Sequence, residues 1–225
     1  NKMVFSSFVF LLAFLPIVLL LYYLCPARLR NLVLLVFSLV FYAWGEPVYV
    51  LIMLFSIVFD YANGRLIEHF KNKNCPGKAK AALIVDLCGN LAILGFFKYT
   101  DFVIGSINSI TGAGLSLLHI ALPIGISFYT FQTMSYTIDV YRGEVAAQKN
   151  ILTFATYVTL FPQLIAGPIV RYVDIEEQLE HRFMNLTKFG QGAMYFMRGL
   201  AKKVILANTT GAVFEQIAAM HLGSY

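Results

Sequence analysis

The stretch VFSSFVFLLAFLPIVLLLYYL, residues 4–24, runs for 21 residues without a charge. About 20 apolar residues are what a helix needs to cross the hydrocarbon of a bilayer, so this segment sets the class of the whole chain. A cleaved leader does not explain it. Lys2 would serve as the basic n-region, but the apolar run is too long and no small-x-small site follows. A lipoprotein reading of Cys25 fails because Leu24 before it is bulky. Met3-Val4-Phe5 reads as the natural start, with Asn1-Lys2 a remnant.

The composition of the full chain agrees. Its 225 residues are 59% hydrophobic and 13% charged, with a mean hydropathy of +0.71. A soluble domain carries about a quarter charged residues because its surface meets water. Half that fraction excludes a water-soluble globule, and with it a disordered chain or a coiled coil. The net charge of +5 reports topology in such a protein, since basic loops stay in the cytoplasm. No aromatic-interleaved basic patch supports nucleic-acid binding. The three cysteines, Cys25, Cys75 and Cys88, are odd in number and form no Cys-x-x-Cys pair, which points to neither a metal site nor a disulfide framework.

Further apolar runs follow at residues 31–44, 48–59, 81–97, 115–138 and 151–170, with weaker ones at 189–208 and 212–222. Gly45-Glu46-Pro47 divides the first two, giving a hairpin of short or tilted spans. Arg28 and Arg30 follow the first span, and Arg65, Lys71, Lys73, Lys78 and Lys80 crowd residues 64–80, read as a loop. A hairpin that crosses twice puts both basic groups on the cytoplasmic side and the N-terminus outside. Asp174-Ile175-Glu176-Glu177 has the form of an N-cap with an acidic partner. Ile175, Leu179, Phe183 and Leu186 then recur at helical spacing, an amphipathic helix lying on the membrane rather than crossing it. The expected fold is all-α: one transmembrane domain over 1–225, with about six to eight hydrophobic segments, some short or broken.

Polar groups at membrane depth are costly and each is a functional candidate. His119 reads as a general base or proton relay inside a span, or, the plainer expectation, as a histidine bonded to a carbonyl at the span's end. Asp86 and Asn90 share a helical face and could line a polar path; pairing of Asp86 with Lys80 is the simpler expectation. Asp139, Arg142 and Glu144 read as an interfacial ion-pair cluster. Gln132, Ser135 and Tyr136 precede it and could bond across helices or coat a cavity. Arg198, Lys202 and Lys203 suit an anionic donor or headgroup, or simple snorkelling. His69 and His181 sit in charged segments and receive no role, nor does His221 near the end. No Walker loop, Gly-x-Gly-x-x-Gly, His-Glu-x-x-His or Gly-x-Ser-x-Gly is present. These features fit an intramembrane enzyme and a transporter about equally well.

Several blocks resemble the membrane-bound O-acyltransferase family, in its bacterial alginate O-acetyltransferase branch. They are Met3–Ser7 with Phe14-Leu15-Pro16 and Tyr22-Tyr23; Phe41-Tyr42-Ala43-Trp44; and Asn90-Leu91 with Gly95-Phe96-Phe97-Lys98-Tyr99 and Phe102. The most specific runs from Leu122-Pro123-Ile124-Gly125 through Gln132 and Tyr136 to Asp139-Val140-Tyr141-Arg142-Gly143. Phe161-Pro162-Gln163 with Ala166-Gly167-Pro168-Ile169 and Arg171 follows it. The resemblance implies part of the family's helical ring and an acyl group, usually acetyl, passed from a cytoplasmic donor toward an extracytoplasmic polysaccharide hydroxyl. It implies acetyl-CoA or an acyl carrier as co-substrate with no bound cofactor or metal. It further implies a periplasmic or surface-anchored partner acetyltransferase, and residence in the bacterial cytoplasmic membrane. The tunnel walls are expected at Tyr129, Gln132, Tyr136, Asp139, Arg142, Gln163 and Arg171. The family's catalytic histidine lies in a Trp-His-Gly segment after an Arg-Arg-Trp-His segment. This chain has one Trp, Trp44, and neither motif, so that histidine is expected beyond Tyr225. A transporter or channel remains the alternative, though no paired halves appear, as does a non-catalytic membrane scaffold.

Overall fold

The computed structural model describes residues 5–112, 114–164, 167–180, 182 and 184–222, without the side chains of 221 and 222. Within them the chain is helical, with no strand. Packing divides it into two compact units, Asn1–Ile17 with Arg182–Tyr225, and Val18–His181.

In the first unit a π-helical stretch, Phe10–Phe14, leads into α1 (Leu15–Leu24), most of which belongs to the second unit. Phe10 and Phe14 stack at 5.6 Å. The first unit also carries α9 (Leu186–Ala201), a π-helical stretch over Lys202–Ala207, and α10 (Asn208–Leu222). Asn185 caps α9, its side chain accepting from the Lys188 N–H at 2.7 Å. The expected 189–208 and 212–222 segments are thus one run of helix interrupted by the π stretch rather than two separate spans. No described residue of α9 is buried.

The second unit holds α2 (Arg30–Gly45), α3 (Val50–Asn72) and α4 (Pro76–Thr111), each part of a helix long and apolar enough to cross a membrane. The chain is a membrane protein. Against them pack α5 (Ile126–Arg142), α6 (Ile151–Thr159), the single turn α7 (Phe161–Leu164) and α8 (Tyr172–Glu180). The expected basic loop over 64–80 is instead mostly helix: α3 runs on to Asn72 and α4 begins at Pro76. Pro suits this first turn because its missing N–H would have had no helical partner. Outside the hydrocarbon a charged helix surface is simply hydrated, so hydropathy alone marks its end too early.

The 115–138 segment is corrected as well. Residues 114–123 form no helix, and α5 starts only after Gly125, whose φ of +78° and close approach to the Leu164 carbonyl both exclude a Cβ. The non-helical stretch lies along α4. Asn108 accepts from the Leu115 N–H at 2.8 Å and donates to its carbonyl at 2.7 Å, while Asp101 accepts from the Leu118 and His119 N–H groups at 2.9 and 3.3 Å. His119 is therefore an exposed residue of this stretch, in left-handed backbone with φ of +49°, and not a residue of a membrane-crossing helix.

The 151–170 segment breaks at Leu160. There Ser38 of α2 accepts from the Phe161 N–H at 3.2 Å, and Pro162 has no N–H to give. The amphipathic helix begins at Tyr172, two residues ahead of the expected cap, and Leu186 belongs to α9. Phe183 and His181 lie outside the described residues, as do Met3, Val4, Ile165 and Ala166; of His221 only the backbone is described. α3 and α5 approach so closely that a Cβ on Gly64 would meet the Tyr136 ring at 2.9 Å.

Candidate functional site

The charged and polar residues of α5, α6 and α8 converge at one end of the second unit. Helix ends gather there: Asn31 at the start of α2 donates to Thr153 of α6 and to the Leu179 carbonyl of α8, both at 3.2 Å. Lys71, near the end of α3, donates to the Val140 and Tyr141 carbonyls at 3.2 and 2.7 Å. A cation over the last carbonyls of α5 is favourable because those groups have no helical donors and carry the negative end of the helix dipole.

At the centre of this end, Arg171 grips Asp139 with two N–H groups, at 2.6 and 3.3 Å, and reaches Glu144 at 2.7 Å. Arg142 stands 3.8 Å from Glu144. The expected cluster of Asp139, Arg142 and Glu144 is present, but its hub is Arg171, 32 residues further along. Only a fork-shaped guanidinium can bridge two carboxylates in this way. Asp139 is 3% exposed at its side chain and Arg171 46%, so the acid is buried while the base faces outward. The hydrogen bonds it donates to Asp139, then to Glu144, hold the Arg171 guanidinium above its already high range.

Beneath the cluster lies a buried sheath of phenols and amides. Gln132 donates to the Tyr157 carbonyl at 3.1 Å, and Tyr157 donates to the Val170 carbonyl at 3.0 Å, anchoring the segment that carries Arg171. The Tyr136 oxygen accepts from the Gln148 N–H at 2.9 Å. Gln148 in turn donates through its amide to Tyr172 at 2.7 Å and Glu180 at 3.1 Å. The Tyr136 and Tyr172 rings meet edge to face at 5.1 Å, as do Tyr157 and Tyr172 at 5.2 Å, the arrangement aromatic quadrupoles favour. Burial pushes the Tyr172 phenol up to about 12. Glu176 on the same helix is also raised, first by desolvation and then by neighbouring Glu180.

Of the seven residues expected along a tunnel, Tyr129, Gln132, Tyr136 and Asp139 are buried within this unit, while Arg142 and Arg171 keep exposed side chains. Gln163 is half-buried with its Oε1 unpartnered. Arg171 and Asp139 are brought together, and Gln132 and Tyr136 reach the segment that carries Arg171 through Tyr157 and Tyr172 respectively. Sequence reasoning missed Tyr157, Tyr172 and Gln148. Each sits in an apolar or plainly polar run with no motif around it, and only the crossing of α5, α6 and α8 makes it a partner.

Asp86 does not pair with Lys80. Six residues apart, the two point to different faces of α4, and the Asp86 carboxyl instead accepts from Thr137 of α5 at 2.6 Å. Asn90, one turn on, donates to Asp60 of α3 at 2.6 Å and to the Asp86 carbonyl at 3.1 Å. Asp60, Asp86 and Asn90 are all essentially inaccessible.

Comparison with known proteins finds similarity over nearly the whole chain. It is 45% identical over 224 residues to the probable alginate O-acetylase AlgI of Pseudomonas aeruginosa, which covers 97% of this chain and 42% of that protein. The corresponding protein of Azotobacter vinelandii is 44% identical over 224 residues, covering 97% of this chain and 44% of its own length. The peptidoglycan O-acetyltransferase of Helicobacter pylori is 32% identical over 241 residues, covering 92% and 45%. The chain thus spans less than half the length of these curated relatives. No family model and no solved structure matches it.

Proposed function

We propose that the chain belongs to the alginate O-acetylase branch of the membrane-bound O-acyltransferase family and is part of an enzyme transferring acetyl groups to a polysaccharide hydroxyl. The donor, acetyl-CoA or an acyl carrier, arrives from the cytoplasm and the acceptor lies outside. A periplasmic or surface-anchored acetyltransferase acts beside it. The transfer itself belongs to the whole protein, and this chain supplies the wall of the path.

The observation that carries the reading is the Arg171–Asp139–Glu144 junction. A buried carboxylate at the end of α5 fixes an exposed guanidinium, with Arg142 beside it. Lys71, Lys73, Lys78 and Lys80 lie at or near the same end, and this Lys and Arg excess supports reading it as the cytoplasmic end, with the N-terminus outside. Cations held at fixed positions there suit an anionic thioester donor, whose phosphates pair with guanidinium groups. Tyr129, Gln132, Tyr136 and Asp139 then act from behind the wall, holding its charged face in place. Gln163, with an unpartnered oxygen, sits where the α6–α7 break opens the backbone.

The test is O-acetylation of the cell's polysaccharide, read as base-released acetate, with variants placed in the full-length protein. Alanine at Gln132, Asp139 or Arg171 should lower acetylation several-fold at unchanged expression, with Arg171→Lys recovering only part of the loss. Wild-type acetylation in all three alanine variants would overturn the reading.

A further inference from the structure

The carboxyl groups of Asp60 and Asp86 neighbour each other, buried between α3 and α4. Both residues are 0% exposed. One oxygen of each is satisfied: Asp60 Oδ1 accepts from Asn90, and Asp86 Oδ2 accepts from Thr137. The other oxygen of each, Asp60 Oδ2 and Asp86 Oδ1, is buried without a partner. Asn90 has no hydrogen left to offer, since its second N–H goes to the Asp86 carbonyl. No ion pair reaches either carboxyl among the described residues. The Tyr129 phenol of α5, itself buried with an unpartnered oxygen, lies near enough to feel the charge of Asp60, and Tyr42 of α2, equally unpartnered, acts on Tyr129 in the same way. Asn63 and Thr133 are the next polar neighbours.

Two adjacent carboxylates in a low-dielectric site cannot both stay ionised. Two unpartnered oxygens, one from each, are what a single shared hydrogen satisfies. A metal ion needs several more oxygens than this site offers. We propose that Asp60 and Asp86 bind one proton between them, forming a proton site that pins α3, α4 and α5 together at membrane depth. Loading takes one proton from solution and leaves the pair with a single negative charge. Release would return that proton to water and leave two carboxylates facing each other, a strongly disfavoured state, with Tyr129, and behind it Tyr42, as the other titratable groups nearby among the described residues. The Thr137 hydroxyl can turn between Asp86 and the Met134 carbonyl, 3.1 Å away, so it can serve either state. The site stands apart from the Arg171 cluster, and the inference does not depend on acyl transfer.

Infrared spectroscopy of the full chain in lipid nanodiscs at neutral pH tests this directly. The wild type should show a protonated-carboxyl band that moves on deuteration and shifts when the protein is made with carboxyl-labelled [13C]aspartate. The Asp60→Asn/Asp86→Asn double variant, which keeps shape and removes both acids, should lose it. Absence of the aspartate band in the labelled wild type overturns the proposal even where the double variant fails to fold. So does a band that persists unchanged in a folded double variant. The spectrum should be the same in sodium and choline chloride; a band that appears only when sodium is withdrawn identifies a sodium site and overturns the proton.

Discussion

Tyr172 shows how much a single side chain contributes at the junction. It is inaccessible, packs against the Tyr136 and Tyr157 rings, and accepts from Gln148. Burial raises its phenol from the usual 10 to about 12. A raised acid favours the neutral form in the folded state, so its stabilisation is whole below pH 10 and is lost as pH climbs toward 12. Tyr172→Phe keeps the rings and removes the ionisation. It should cost about 1 kcal/mol at neutral pH through the lost hydrogen bond, yet flatten the alkaline decline in Tm, followed by thermal unfolding in detergent across pH 8 to 12. Gly64 makes the opposite case, in which a side chain is missing by necessity. Gly64→Ala would press a methyl onto the Tyr136 ring and force α3 and α5 apart, costing about 1–3 kcal/mol and lowering Tm without altering the charged cluster.

At the scale of elements, the two ends of α5 are set by different means. Gly125 and Gly143, with φ of +78° and +83°, flank it, and Lys71 reaches across from α3 to its final carbonyls. Gly125→Ala meets both a left-handed backbone and the Leu164 carbonyl at 2.9 Å, and should cost at least about 1–2 kcal/mol. The stretch over 114–123 hangs on Asp101 and Asn108, so Asp101→Ala should speed hydrogen exchange at the Leu118 and His119 amides while leaving the α3 amides protected. Equal protection in both proteins would show that other contacts hold the stretch.

These elements also mark how far the sequence could be read. The α2–α3 hairpin was legible because Gly45-Glu46-Pro47 punctuates two apolar runs, whereas the 4–24 run, read as a full span, yields only a shorter apolar helix over Phe10–Leu24. The non-helical 114–123 stretch was not, since Leu115, Leu117 and Leu118 are as apolar as any span and the hydrogen bonds that hold it come from α4. Asp139 and Arg142 stood out as a cluster by proximity in sequence. Arg171 as its hub, and Asp60 as the companion of Asp86, depend on tertiary contacts that no local pattern encodes.

Across the whole molecule, apolar side chains face outward. Leu51, Phe55 and Val58 on α3, Ile84 and Val85 on α4, and Leu186, Tyr195 and Phe214 in the first unit are all exposed. Surfaces of this kind need lipid or protein against them. The chain should therefore stay with the membrane pellet through alkaline carbonate extraction and enter solution only with detergent; release by carbonate would contradict a spanning arrangement.

The 36 residues of α4 add one more consequence. At 1.5 Å per residue such a helix is about 54 Å long, whereas the hydrocarbon is about 30 Å deep. Even a tilt of about 40°, the steepest common in membranes, leaves a surplus. α4 is thus a ruler longer than the layer it measures, and part of its length is legible from the water. Its serine-bearing end, with Ser106 and Ser109 beside Asp101, is the stretch on which a membrane-impermeant thiol reagent, given Ser106→Cys or Ser109→Cys, would read from which side of the cell the scale begins.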